Sequence, residues 1–273
     1  LGPERNVYYQ RRRHDDGELF LLFSHSSQAQ RRRIWFRAAG RPECWDPLDG
    51  KRLGLTGGRW QDGGTWLDLH FEPYQAYAVV FAAATTPELS SPLAGPDSGP
   101  SGSRGQVAPW SRVEGWWTVE FLPNDGNPYL SPHDHQYDLR PRTLGPASAL
   151  VPWWRLGLGG DTGTARYHGT FSAPAAPAGR CWLDLGRVEQ AAEASLNGRP
   201  LGSRLWRPFR FEVTGMLAEG QNQLEVLVTN GTANFLTTPR GDQPPPLTQL
   251  PVSAMWSGLL GPVCLLAEGE DRR

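Results

Sequence analysis

The chain has 273 residues, with 27 basic and 28 acidic side chains and a formal net charge of -1. That length allows two domains, or one large β domain, and a core that needs no disulfide or metal staple. The balanced charge leaves no basic surplus for a nucleic-acid backbone or an anionic membrane, and no apolar run is long enough for a transmembrane helix.

The 32 Gly, 25 Pro and 12 Trp residues fit a protein of strands and turns, where Gly and Pro punctuate and aromatics fill sheets. Lys51 is the only lysine, a bias that fits a GC-rich genome rather than arginine chemistry. Cys44, Cys181 and Cys264 are widely spaced and odd in number, neither a disulfide framework nor a zinc motif, so they read as packed thiols. The first residues hold Arg11-Arg12-Arg13 and no apolar stretch, unlike a signal peptide. The missing initiator Met at Leu1 points to a fragment or a processed product. Localisation stays open, with a secreted or periplasmic parent compatible.

Residues 7–13 and 18–24 flank His14-Asp15-Asp16-Gly17, and Asp-Gly between two strand-like runs predicts a hairpin. Residues 34–37 read as a strand, and Cys44-Trp45-Asp46-Pro47 with Asp49-Gly50 as a strand closing into a turn. Residues 66–71 alternate, with Leu67, Leu69 and Phe71 on one face and Trp66, Asp68 and His70 on the other. Residues 76–83 are apolar enough for a strand buried on both faces. Residues 85–109, dominated by Pro, Gly and Ser, bury too little to offset their ordering entropy and read as a linker. Beyond it, residues 113–121 read as a strand with aromatics on both faces. After a Pro-rich stretch, strands return at 165–171, 181–185, 192–196, 209–213, 224–229 and 262–266. Asn197-Gly198 is the strongest hairpin turn in the chain. Roughly eight strands in this half fit a jelly roll. The expected fold is all-β: two antiparallel β-sandwich domains, 1–84 and 110–273, joined by the 85–109 linker.

Three blocks resemble the galactose-binding-like jelly roll of family 2 β-galactosidase-type glycoside hydrolases. They are residues 165–171, then Trp182-Leu183-Asp184-Leu185-Gly186-Arg187-Val188, then the segment around Ser195-Leu196-Asn197-Gly198-Arg199-Pro200-Leu201-Gly202. The match continues through Leu205-Trp206-Arg207-Pro208-Phe209 and ends with Gly220-Gln221-Asn222-Gln223-Leu224 and the strand after it. The first half is similar to the sandwich that follows the catalytic barrel in family 106 α-L-rhamnosidases. There Trp45-Asp46-Pro47 matches a W-D-P segment, Gly115-Trp116-Trp117 opens the last jelly roll, and Ser257-Gly258-Leu259-Leu260-Gly261 resembles the C-terminal strand. The resemblance implies the non-catalytic C-terminal portion of a glycoside hydrolase, with its catalytic (β/α)₈ barrel outside this chain. The chain shows no alternating strand-helix pattern, so no catalytic residue carries over. The alternative is a free-standing pair of carbohydrate-binding modules.

Glycoside hydrolysis needs two opposed carboxyls. Asp134, Asp138, Asp184, Glu189 and Glu193 are available, but as solvated strand-edge or loop acids they carry no mark of that chemistry. Sugars stack on aromatic rings, which makes Trp110, Trp116, Trp117, Trp153, Trp154 and Trp206 candidates, Trp117, Trp154 and Trp206 foremost, with Arg207 beside Trp206 offering paired donors. Pro208 biases Arg207 away from helix, so residues 205–208 are expected to be extended. Trp153 and Trp154, like Trp116 and Trp117, point to opposite faces if extended, and any of these rings can equally be core or a domain contact. His133 and His135 lie on one side of an extended segment and are the weak metal candidates, against a plain polar loop. No cofactor is implied, and a structural calcium ion is left open. The expected partners are carbohydrate and a catalytic domain of the same parent protein, with neither nucleic acid nor membrane. Asn230-Gly231-Thr232 is a glycosylation sequon, and Arg240-Gly241-Asp242 an adhesion tripeptide too short to count.

Overall fold

The structure, a computed structural model, describes residues 6–48, 50–55, 58–82, 107–115, 117–123, 140–147, 150–175, 179–237 and 256–268. The chain divides into two compact units, Leu1–Arg104 and Gly105–Arg273. Both are built almost wholly of antiparallel strands, as the turn-rich sequence led us to expect.

The first unit holds β1 (Val7–His14), β2 (Gly17–Ser24), β3 (Gln30–Phe36), β4 (Pro42–Trp45), β5 (Arg52–Leu53), β6 (Gly58–Gln61), β7 (Gly64–Phe71) and β8 (Ala76–Ala82). They make a five-stranded sheet in the order β1-β2-β8-β4-β5 and a three-stranded sheet in the order β3-β7-β6. Phe20 and Phe81 from the first sheet meet Phe36 from the second at ring separations of 5.0 and 5.6 Å. Leu22, Leu67, Leu69, Phe71, Tyr77 and Val79 complete this core. Each such side chain contributes about 1.5–3 kcal/mol through burial.

Two local expectations change here, and a third holds. In the β1–β2 hairpin the turn is Asp15-Asp16, and Gly17 already pairs with His14. Gly17 is needed for another reason: a Cβ there would lie 2.2 Å from the Phe81 carbonyl oxygen on β8. β8 is not buried on both faces. Tyr77, Val79 and Phe81 enter the core, whereas Ala78 and Val80 are only half-buried, because a two-layer sandwich covers one face of each sheet. The turn after β4 forms as expected, with Asp46 Oδ1 accepting the Leu48 N–H at 2.8 Å and the Gly50 N–H donating to the Asp46 carbonyl.

The second unit holds β9 (Val107–Arg112), β10 (Trp117–Pro123), β11 (Arg142–Ala147), β12 (Gly163–Ala173), β13 (Cys181–Asp184), β14 (Arg187–Glu189), β15 (Ala191–Leu196), β16 (Arg199–Arg204), β17 (Arg210–Glu212), β18 (Gly220–Thr229), β19 (Gly258–Gly261) and β20 (Cys264–Glu268). A six-stranded sheet, β11-β10-β12-β18-β15-β16, faces a four-stranded one, β17-β13-β20-β9, with β14-β19 as a small third sheet. Alternation explains the long central strands. Ala165, Tyr167 and Phe171 of β12 and Leu224, Val226 and Val228 of β18 point into one core with Leu183, Phe211 and Leu265 of the opposite sheet. The Asn197-Gly198 turn closes the β15–β16 hairpin with φ of 51° and 75°, as its sequence requires.

Residues 107–109 belong to β9, paired with β20, so the last positions of the expected linker are sheet; residues 85–106 lie outside the described residues. The strand expected from residue 113 begins only at Trp117. Trp153 and Trp154 sit in a 3-10 helix, Trp153–Leu156, not in an extended segment. Among the described residues no helix is long and apolar enough to cross a membrane.

Candidate functional site

The expected sugar contacts lie on the second unit, and the structure separates them. Trp117 is 4% exposed and part of the core, so its ring is closed to a ligand. β10 places it on the inward side of the sheet, a choice that local alternation between Trp116 and Trp117 could not make. Trp153 is fully buried, with its Nε1–H donating to Tyr167 Oη at 2.8 Å, while Trp154 is 52% exposed with Arg155 over its ring at 5.1 Å. His133 and His135 lie outside the described residues, and among the described residues no three His, Cys, Asp or Glu side chains form a metal-holding group.

Trp206 and Arg207 remain, and the structure gives them a setting. Residues 205–207 form a bend after β16, not the extended segment expected from Pro208. Trp206 is half-buried. Arg207 Nη2 reaches Glu189 Oε1 at 3.1 Å, and Arg187 Nε reaches the same oxygen at 2.9 Å. Arg187 in turn lies over the Trp256 ring at 4.1 Å. Glu189 and Arg187 sit two apart in β14, so both side chains project from one face, and β19 holds that strand through the Glu189–Gly258 pair. Behind it, Tyr167 Oη accepts the Trp153 Nε1–H and the Leu259 N–H, and burial raises the Tyr167 pKa above its ordinary value despite those two bonds. Gly258 is obligatory here, because a Cβ would lie 2.6 Å from the Trp153 ring.

Nearby, Arg210 Nε and Nη2 both reach Asp184 Oδ2, at 3.1 and 2.8 Å, and Asp184 Oδ1 accepts the Gly186 N–H. Two of the acids considered for hydrolysis, Asp184 and Glu189, are thus engaged by guanidinium groups, while Glu193 is exposed on β15. What the edge offers is the Glu189 carboxylate, bonded through Oε1 to two arginines, the donors those arginines have left, and half-buried Trp206 next to Arg207 in the chain. That set suits hydroxyl recognition. The Glu189–Arg187–Arg207 grouping was not legible in the sequence, since Arg207 reaches β14 from a bend 18 residues beyond Glu189.

The thiols are not activated. Burial pushes Cys44 up to about 12, aided by the nearby Asp46 charge and opposed by a backbone bond at Trp45. Cys181 is raised by burial; Cys264 is raised by burial and by Asp184, against Arg112. The sequon asparagine is also spoken for. Asn230 is 8% exposed, accepts the Gly163 N–H, and donates to the Asp161 carbonyl and Ser257 Oγ, each at 3.0 Å.

The chain matches no family model. It is similar to a rhamnosidase from Novosphingobium sp. PP1Y, 27% identical with a TM-score of 0.57, over 97% of this chain and 24% of that one. Ninety residues, 32% of the chain, are 44% identical to a protein of Formosa agariphila assigned as a β-glucuronidase, of which they cover 7%. A Bifidobacterium dentium β-glucuronidase matches 63% of this chain and 31% of its own length, at 23% identity and a TM-score of 0.42. The chain therefore spans about a quarter of the rhamnosidase and a small part of the curated relative. Its all-β fold is one that glycoside hydrolases carry.

Proposed function

We propose that the chain is a non-catalytic, two-unit β portion of a glycoside hydrolase of the α-L-rhamnosidase type, with the sandwich supporting a catalytic domain and the jelly-roll edge contacting sugar. The observation that carries this reading is the match of 97% of the chain to a quarter of a rhamnosidase, at 27% identity and a TM-score of 0.57. Asp184 and Glu189 are engaged by arginines, which suits a structural role, while Asp134 and Asp138 lie outside the described residues. At the edge, Glu189 accepts hydrogen bonds from sugar hydroxyls, Arg207 donates to hydroxyl oxygens, and Trp206 offers a ring face.

Two measurements test this. The pure chain should release no nitrophenol from an aryl α-L-rhamnoside; turnover lost on changing one Asp or Glu of this chain would overturn the non-catalytic reading. Titration calorimetry with rhamnose-containing oligosaccharides should show binding that Trp206→Ala weakens, and binding indifferent to that change removes the edge site.

The exposed tryptophan on the first unit, 40% accessible at Trp35, favours the second reading, a free-standing pair of carbohydrate-binding modules. Stable association with a separately produced catalytic domain would separate the two.

A further inference from the structure

The outer face of the three-stranded sheet in the first unit sets two tryptophans in register among arginines. Strand alternation puts Phe36, Leu67 and Leu69 inward and leaves Arg31, Arg33 and Trp35 of β3 outward, opposite His70, Asp68 and Trp66 of β7. Arg59 of β6 continues the row beyond Trp66, so Trp35, Trp66 and Arg59 stand side by side across three strands, about 10 Å wide at the usual strand spacing. Trp35 is 40% exposed, and its indole lies across Gly64: a Cβ at that position would meet Trp35 Cε2 and Nε1 at 2.5 Å. The glycine thus acts as a seat that lets one ring face rest on backbone while the other stays open. Arg33 lies over Trp66 at 6.0 Å and pairs with Asp68 at 3.5 Å. Arg31 and Arg59, both exposed, have no acidic partner among the described residues.

We propose that this face binds a polysaccharide chain whose pyranose residues carry carboxylates. The open indole face of Trp35 takes the C–H side of a pyranose, where a ring quadrupole meets weakly positive hydrogens. Arg59 beside Trp66, and Arg31 further along the same face, take carboxylates of successive sugar residues in the bidentate geometry that arginine favours. The assignment rests on the carbohydrate-associated reading given above and adds to it a second site, on the other unit, with a charge preference. Single-stranded nucleic acid also stacks on aromatics beside arginines, and it is the competing ligand in the test.

The experiment is affinity electrophoresis of the full chain through gels containing polygalacturonate, neutral dextran or poly(U). Polygalacturonate should retard the chain and dextran should not. Trp35→Ala should weaken the retention about tenfold and Arg59→Ala about threefold, with salt weakening it further. Arg59 is exposed, so its variant reports binding even if Trp35→Ala disturbs the fold. Absence of retention by polygalacturonate, retention unchanged in both variants, equal retention by dextran, or retention by poly(U) in its place would each overturn the proposal. None of those outcomes touches the rhamnoside assay, so failure here is distinguishable from failure of the non-catalytic reading.

Discussion

Asn230 Nδ2 donates to Ser257 Oγ at 3.0 Å, which ties the end of β18 to the residue before β19 inside the second unit. The same side chain bonds the Gly163 N–H and the Asp161 carbonyl, so one amide joins three separate loops. Asn230→Ala leaves those groups unpaired where water does not reach, and we expect a loss of about 2–4 kcal/mol in urea unfolding. A glycan on this asparagine is incompatible with those bonds, so folded protein from a eukaryotic secretory host should show none at Asn230 by mass spectrometry.

Two glycines with positive φ should respond differently to alanine. Gly198 has open space where a Cβ would sit and only its φ of +75° to resist substitution, so Gly198→Ala should cost about 1 kcal/mol. At Gly17 the new Cβ would lie 2.2 Å from the Phe81 carbonyl oxygen, and β2 and β8 must separate to admit it. Gly17→Ala should therefore cost about 3 kcal/mol. Equal denaturation midpoints for the two variants would refute this difference.

Alkaline pH should weaken the first unit through Cys44. Its folded pKa of about 12 lies above the ordinary 9.0, so folding favours the protonated thiol. The resulting stability is complete below about pH 9 and is lost as pH rises from there toward 12. Urea midpoints measured at pH 8 and pH 10.5 should fall in the parent chain and fall less in Cys44→Ala. Tyr167, raised in the same direction, keeps a residual slope in that variant.

The edge acid should matter little to folding. Glu189 side-chain exposure is 22%, and its partners Arg187 and Arg207 are 39% and 42% exposed, so solvent screens both pairs. Glu189→Gln should shift stability by no more than about 1 kcal/mol in thermal unfolding. Any loss of oligosaccharide binding in that variant then reports on recognition and not on the fold.

Local chemistry explains how much of the architecture was legible from residues alone. Asn197-Gly198 dictates its own turn because both positions need φ above zero, and Leu67, Leu69 and Phe71 alternate because a strand repeats every two residues. Strands lacking such marks, among them β5, β6 and β14, were missed: they are short and their pairing is supplied by neighbours. Which side of a strand faces the core is a property of the whole sandwich, so Trp117 is buried where its sequence neighbourhood allowed either outcome. The Glu189–Arg207 contact spans two segments brought together by sheet topology, and the seat that Gly64 makes for Trp35 spans two strands in register. Periodicity and turn residues act within a few positions of the chain and so determine strands and hairpins. Contacts between distant positions depend on how the sheets stack, and only the folded chain decides those.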